Sequence, residues 1–201
     1  NLAESSVRDR TLHELGIEFG DLALPYGDHY GNPDLRALIA EQSGTDVSAD
    51  DVLVTAGAAG ALFVISSSLL EPGDHMVVGF PNYATNYETP IAIGANLEEH
   101  VQTFDGNFSI DVDKLASQVT AETRFISLTC PHNPTGVMFS RRELDQLIRI
   151  AEQNDCFLVV DETYREMAYG EPLPVAANLS DRAISVCSMS KTWGVPGIRV
   201  G

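Results

Sequence analysis

Short apolar runs closed by turn residues alternate along the chain with stretches of helical character. Val52–Thr55 reads as a strand, and Ala58–Leu70 as the helix that follows it. His75–Phe80, Asn96–Val101, Arg124–Thr129, Cys156–Asp161 and Ala183–Cys187 read as further strands. Helices are expected between them over Tyr83–Glu88, Asp111–Gln118 and Arg141–Gln153. Ser140 with Glu143 three residues on forms a capping-box pattern at the start of the last of these.

Strand and helix in alternation predict an α/β sandwich with a largely parallel sheet. A nearly continuous apolar strand such as Phe157–Val160 suits a sheet covered on both faces. The first fifty residues differ in character. Leu24–Pro33 is punctuated by Pro and Gly, and an amphipathic helix is expected over Asp34–Gln42. Gly197–Gly201 reads as the start of another strand, so the chain is read as a fragment.

Composition narrows the functional classes. The 201 residues carry 12 basic and 29 acidic side chains, a formal charge of −17. Such a field repels nucleic acid and anionic lipid, which argues against both as partners. The acids are scattered, so the surface reads as solvated rather than as a functional acidic patch. No run approaches the length of a membrane span, and Asn1–Ser6 does not resemble a secretory leader. Cys130, Cys156 and Cys187 are far apart and lie in apolar runs. They read as reduced, buried, structural thiols rather than as disulfides or metal ligands, which points to the cytosol.

Candidate chemistry follows the strands one after another. Small residues at Thr55–Gly60 lead from a strand into a helix, where backbone N–H groups and the helix dipole can hold a phosphate. The same residues also suit simple close packing. Cys130–Gly136 reads as a Pro/Gly turn that leaves Asn133 unassigned. Asp161 stands at the mouth of its strand, where it could also cap a helix. Lys191 is framed by Ser188, Ser190, three glycines and Arg199, far from the setting of an ordinary surface lysine.

Taken together, Ser-x-Ser-Lys-x-x-Gly-x-x-Gly-x-Arg-x-Gly at 188–201, Asn-Pro-Thr-Gly at 133–136 and Asp-x-x-Tyr at 161–164 resemble the class I/II aminotransferases. These are fold-type I pyridoxal-phosphate enzymes. Tyr26 and Gly31 followed by Leu35-Arg36 also resemble their N-terminal signature. The resemblance implies a three-layer α/β/α sandwich with a mostly parallel, mixed seven-stranded sheet, truncated at the C-terminus. It implies an N-terminal segment over 1–45 facing dimer partner and substrate, and a cofactor-binding large domain over 46–201. The family's smaller C-terminal domain, with its arginine for the substrate carboxylate, is expected to be absent.

The resemblance also implies roles for individual residues. Lys191 matches the lysine that forms a Schiff base with pyridoxal 5′-phosphate and then acts as the general base. Asp161 matches the carboxylate that pairs with the pyridine nitrogen and keeps the ring an electron sink. Asn133 and Tyr164 match the groups that hydrogen-bond the phenolic oxygen, and Tyr83 the aromatic stacked on the ring. Gly57, Ala58, Ala59, Ser188 and Arg199 match the phosphate cradle. Ala58-Ala59 departs from members that carry a hydroxyl there, which leaves more of that task to Ser188 and Arg199. Tyr26 matches a tyrosine that reaches the phosphate of a neighbouring subunit, implying a homodimer. Ser190 has no firm role, and His132 reads as a structural turn residue.

The implied reaction is transfer of an amino group between an amino acid and a 2-oxo acid. A lyase, decarboxylase or cyclase on the same scaffold would use the same Lys191 and Asp161. A transcription regulator with an aminotransferase-like sensor domain is a third reading, though Asn1–Asp9 shows no DNA-binding module. Glu4 reads equally as a group favouring a cationic substrate and as an exposed acid in an N-terminal arm.

Overall fold

The computed structural model describes residues 7–201, so the reading of Glu4 lies outside the described residues. Five of the expected apolar runs form strands: β1 (His75–Phe80), β2 (Asn96–Val101), β3 (Thr123–Thr129), β4 (Phe157–Asp161) and β5 (Ala183–Val186). All neighbours pair in parallel, in the order β2-β1-β3-β4-β5. The helices are α1 (Pro33–Ser43), α2 (Gly57–Leu69), α3 (Thr85–Ile93), α4 (Val112–Gln118) and α5 (Arg141–Gln153).

The two-residue repeat of the strands sorts side chains to opposite faces and so creates two cores. Met76, Val78, Phe125 and Val159 pack with Leu62 of α2 on one face. Val77, Ile126, Leu128, Leu158 and Val160 pack with Leu115 of α4 and with Leu144, Leu147 and Ile148 of α5 on the other. Each such side chain contributes about 1.5–3 kcal/mol when removed from water. The expected three-layer α/β/α sandwich is therefore present.

The seven-stranded mixed sheet is not. Among the described residues the sheet has five strands, all parallel. Val52–Thr55, expected as a strand, runs outside the ladder. Its Thr55 exchanges both backbone N–H···O bonds with Gly201, at 2.7 and 3.1 Å, as an antiparallel pair does. One residue pair fixes the approach of two segments but does not propagate a ladder. The antiparallel part of the expected sheet is reduced to that contact.

Local signals set the helix ends. At α5 the Ser140 and Glu143 side chains cap each other's backbone N–H groups, as the sequence pattern predicts. At α1, Asn32 Oδ1 accepts from Leu35 N at 3.0 Å and Pro33 fills the first helical position. α3 starts later and runs further than the expected Tyr83–Glu88, passing through Pro90. A proline there forfeits a single backbone bond, and Pro90 is buried against the fold, so packing outweighs the loss. The helix then stops at Gly94, whose φ of 92° is left-handed.

Arg36 of the N-terminal signature is a clasp. Its buried guanidinium donates to Ala49 O at 2.6 Å from Nη2 and to Val52 O at 3.0 Å from Nε. It also lies over the Tyr30 ring, 5.4 Å from the centroid. The clasp fixes the segment that leads into Thr55 and α2.

Candidate active site

Parallel pairing places the ends of all the strands on one side, and the loops that leave them converge there. The β1 loop brings Tyr83, the β3 loop Asn133, the end of β4 Asp161 and Tyr164, and the β5 loop Ser188 and Lys191. With Ala58 and Ala59 from the start of α2, and Arg199, they line one cleft. The structure thus brings together nine of the eleven site residues expected from sequence. Gly57 and Tyr26 do not line it. Gly57 lies directly behind the Arg199 guanidinium, and Tyr26 is fully exposed.

One end of the cleft suits an anion. α2 begins without a side-chain cap and without an acid in its first turn. The Gly57 N–H is spent on Thr55 O at 2.8 Å, so Ala58 and Ala59 present the outward N–H groups at the cleft. Gly57 has a different use. A Cβ there would sit 2.5 Å from Arg199 Nη2, so only glycine lets the guanidinium close over the helix end. Arg199 is held by Pro196 O at 3.0 Å and Ala56 O at 3.3 Å. The Ser188 hydroxyl lines the same cleft. Two backbone N–H groups, a hydroxyl, a helix dipole and a guanidinium form a donor set fitted to a phosphate dianion.

The other polarity is supplied by Asp161, only 4% exposed. Burial raises its pKa, and hydrogen bonds from Thr163 and Asn86 work against that rise. Thr163 donates twice to Oδ1, from its hydroxyl at 2.6 Å and its backbone N at 3.1 Å. A cationic ring nitrogen beside this carboxylate would relieve its burial cost. A ligand with a dianionic phosphate and a protonatable ring nitrogen therefore fits the residues present, and Lys191 lines the same cleft. Among the described residues, no carboxylate lies within ion-pair distance of its amine.

His132 is a staple. Its Nε2 faces Pro81 O at 2.8 Å and its Nδ1 faces Thr135 Oγ1 at 2.7 Å. A carbonyl only accepts, so Nε2 carries the proton and Nδ1 accepts from the threonine hydroxyl. The buried ring thus ties the loop of Tyr83 to the loop of Asn133, and desolvation lowers its pKa, favouring this neutral form. Cys130 and Cys156 are buried, whereas Cys187 is exposed as a residue even though burial of its thiol still pushes the pKa up to about 11, so the expectation of three buried residues holds for two of them. Cys187 follows the last residue of β5, where the chain turns out of the sheet.

Glu162, next to Asp161, turns away from the cleft. Its Oε1 accepts from Ala176 N and Ser185 Oγ, both at 2.9 Å. Burial is the largest influence on its carboxyl and pushes the pKa from 4.5 up to about 7. The unfolded chain then ionises first, so this group's stabilising contribution is full below pH 4.5 and lost as pH rises through about 7. Glu162→Gln is expected to raise stability at pH 8 by about 2–3 kcal/mol and to leave it nearly unchanged at pH 4. Denaturant titrations at the two pH values measure this. Equal shifts at both would show that Glu162 is not the titrating group.

The sequence reading missed Thr163, Asn86 and the lining role of Ser190 and Pro196. A signal for Asn86 was present in β3, where Ser127 and Thr129 interrupt an apolar run. Buried hydroxyls need partners, and both find them on asparagines after β1.

The comparisons with known proteins agree with this geometry. The family described as aminotransferase class I and II matches residues 10–201. An arginine–pyruvate transaminase of Pseudomonas aeruginosa is 33% identical over 183 residues, covering 88% of this chain and 47% of that protein. An aspartate aminotransferase of Thermotoga maritima is 32% identical, covering 88% and 48%. The chain thus spans about half the length of the curated relatives it matches. Among solved structures, a PLP-dependent aminotransferase from Streptococcus suis superposes with a TM-score of 0.90 at 31% identity, over 99% of this chain and 56% of that one. Thermus thermophilus aspartate aminotransferase with maleate gives 0.84 at 27% identity, over 88% and 48%. A cleft at the strand ends with an anion cradle, a buried carboxylate and a lysine, on a matching fold and a matching sequence, places this chain in the family of class I and II aminotransferases.

Proposed function

We propose that this chain carries the pyridoxal 5′-phosphate site of an aminotransferase acting on an amino acid and a 2-oxo acid. The observation that carries this reading is the convergence of Lys191, Asp161, Asn133, Tyr164, Ser188 and Arg199 on one cleft. When bound, the cofactor supplies an aldehyde for amine exchange and a ring that accepts electron density from the substrate α-carbon.

The chain's own residues do the rest. Arg199, Ser188 and the Ala58 and Ala59 N–H groups anchor the phosphate, and Gly57 permits their approach. Asp161 holds the proton on the ring nitrogen. Asn133 and Tyr164 hydrogen-bond the phenolic oxygen, and Tyr83 covers the ring face. Lys191 holds the cofactor through its amine and, once displaced, moves the proton at the substrate α-carbon. Relatives named for arginine and pyruvate and for aspartate match this chain at 33% and 31% identity, so the substrate class is the general one.

Residues 46–201 act in this reading as the cofactor-binding domain. Residues 1–45 serve a homodimer, with Tyr26 reaching the partner's phosphate. Phe19, Leu22, Leu24, Tyr26 and Tyr30 are exposed in that segment, as a surface awaiting a second copy would be. Unpaired cysteines fit a reducing, cytoplasmic setting. Among the described residues, no helix is long and apolar enough to cross a membrane.

The test is covalent mapping. Full-length protein incubated with pyridoxal phosphate should show a visible absorbance band. Borohydride reduction followed by peptide analysis should place the adduct on Lys191. An adduct on Lys114 instead would remove the reading.

A further inference from the structure

Two loops at the cleft are each closed on themselves, and one imidazole joins them beyond the sheet. After β3, His132 N donates to Val137 O at 2.8 Å and Gly136 N donates to His132 O at 2.7 Å. Asn133 therefore stands in a tight turn that begins at His132. After β1, Asn82 accepts from Tyr83 N at 2.8 Å and donates to Gly79 O at 3.0 Å, which fixes the start of the Tyr83 loop. The Thr129 hydroxyl, 2.7 Å from Asn82 Oδ1, links the two loops at their base, where β3 ends. Farther along both loops His132 makes a second link, with Nε2–H to Pro81 O at 2.8 Å and Nδ1 to the Thr135 hydroxyl at 2.7 Å. His132 is 4% exposed, so water is not available to replace either bond.

From this bridge we infer that His132 is a positioning residue for the reaction: by spanning Pro81 O and Thr135 Oγ1 it sets Tyr83 on one loop against Asn133 on the other. The inference rests on the cofactor reading given above. It adds a part that does not itself line the cleft, whereas Tyr83 and Asn133 do. The bridge is directional. Pro81 O only accepts and so demands a donor at Nε2, which leaves Nδ1 to accept from the threonine. A side chain with a donor at the reach of Nε2 can replace the first bond, and one that ends at the reach of Nδ1 cannot. The placement of Asn133 has its own gauge. A hydrogen bond donated to the phenolic oxygen stabilises the charge on that oxygen. It therefore lowers the pH at which the Lys191 nitrogen, once joined to the cofactor, gives up its proton. An Asn133 set loose by the loss of the bridge raises that pH.

The test uses the full-length protein in two forms. In the cofactor-free form, the ring-nitrogen resonances of His132, assigned by their loss in His132→Gln, should report a protonated Nε2 and a bare Nδ1. In the holoenzyme, the visible absorbance band is titrated with pH. His132→Asn, whose amide stops short of Pro81, should raise the midpoint by about half a unit or more. His132→Gln, whose amide reaches the Nε2 position, should restore at least about half of that shift. Thr135→Val strips the Nδ1 partner and leaves the imidazole, so it should move the midpoint the same way by less. Asp161 and Tyr164 are unchanged in all three variants. Within an Asn133→Ala background, His132→Asn should move the midpoint by less than about 0.2 unit, because the group it positions is gone. Unmoved midpoints, equal shifts in His132→Asn and His132→Gln, or equal shifts in both Asn133 backgrounds would each overturn the inference. Should His132→Asn not fold, the Thr135→Val midpoint decides. A wild-type protein that develops no visible band would defeat the cofactor reading and the inference with it, whereas a protonated Nδ1 would defeat the inference alone.

Discussion

Lys191→Ala is expected to lower transamination by the full-length enzyme by at least about 10⁴-fold, the upper range for a positioned general base. On the roles proposed for Lys191, two functions are lost with one amine. The cofactor is left without its covalent hold, and the α-proton without a base to receive it. Lys191→Arg separates these causes from simple charge. Arginine keeps the cation in the same cleft but holds its proton at all accessible pH values, so it can serve neither function. Both variants should therefore be similarly inactive, and neither should show the visible band. Their phosphate cradle is intact, so weak cofactor retention is expected to persist through Arg199 and the start of α2. Turnover in Lys191→Arg near the wild-type level would show that the lysine acts only through its charge.

Asp161→Asn is expected to slow α-proton abstraction about 10²- to 10³-fold or more. This corresponds to removing one charge aimed at a group that changes its electron demand in the transition state of a water-excluded site. The fold should survive, because the asparagine oxygen can still accept from Thr163 N and Thr163 Oγ1, now at 3.1 and 2.6 Å. Cofactor binding should weaken far less than the rate, since the phosphate end of the cleft does not involve Asp161. Single-turnover measurement of each half-reaction separates the two effects. Equal half-reaction rates in variant and wild type would remove Asp161 from the mechanism.

Much of both the fold and the site was legible in the sequence, for a common reason. β1 over His75–Phe80, β2 over Asn96–Val101 and α5 over Arg141–Gln153 coincide with their expected ranges. β1 is specified by contiguous apolar patterning and α5 by a cap within one turn, whereas β2, Asn-Leu-Glu-Glu-His-Val at the sheet edge, is mostly polar and exposed. Lys191, Asp161, Asn133 and Tyr164 were legible because each stands in a short motif at or just after the end of a strand, and parallel strands deliver such residues to one side of a sheet.

What only the tertiary structure decided are relations between residues distant in sequence. The apolar pattern of Val52–Thr55 suited a strand, but a ladder needs a partner of equal length. It has one pair, with Gly201, at a separation no local pattern encodes. The order β2-β1-β3-β4-β5 depends on which side each crossover helix takes, and α3, whose buried residues are Asn86 and Pro90, carries no apolar stripe that would announce it. Cys187 lies beside an apolar run yet is exposed, because the chain leaves the sheet at that residue. Asn86 sits in a helix of ordinary composition, and its use appears only when β3 brings Ser127 to within 2.9 Å of it. Apolar burial depends on pattern, which a chain displays one residue after another. A buried hydrogen bond depends on direction, and that exists only once the strands have been laid side by side.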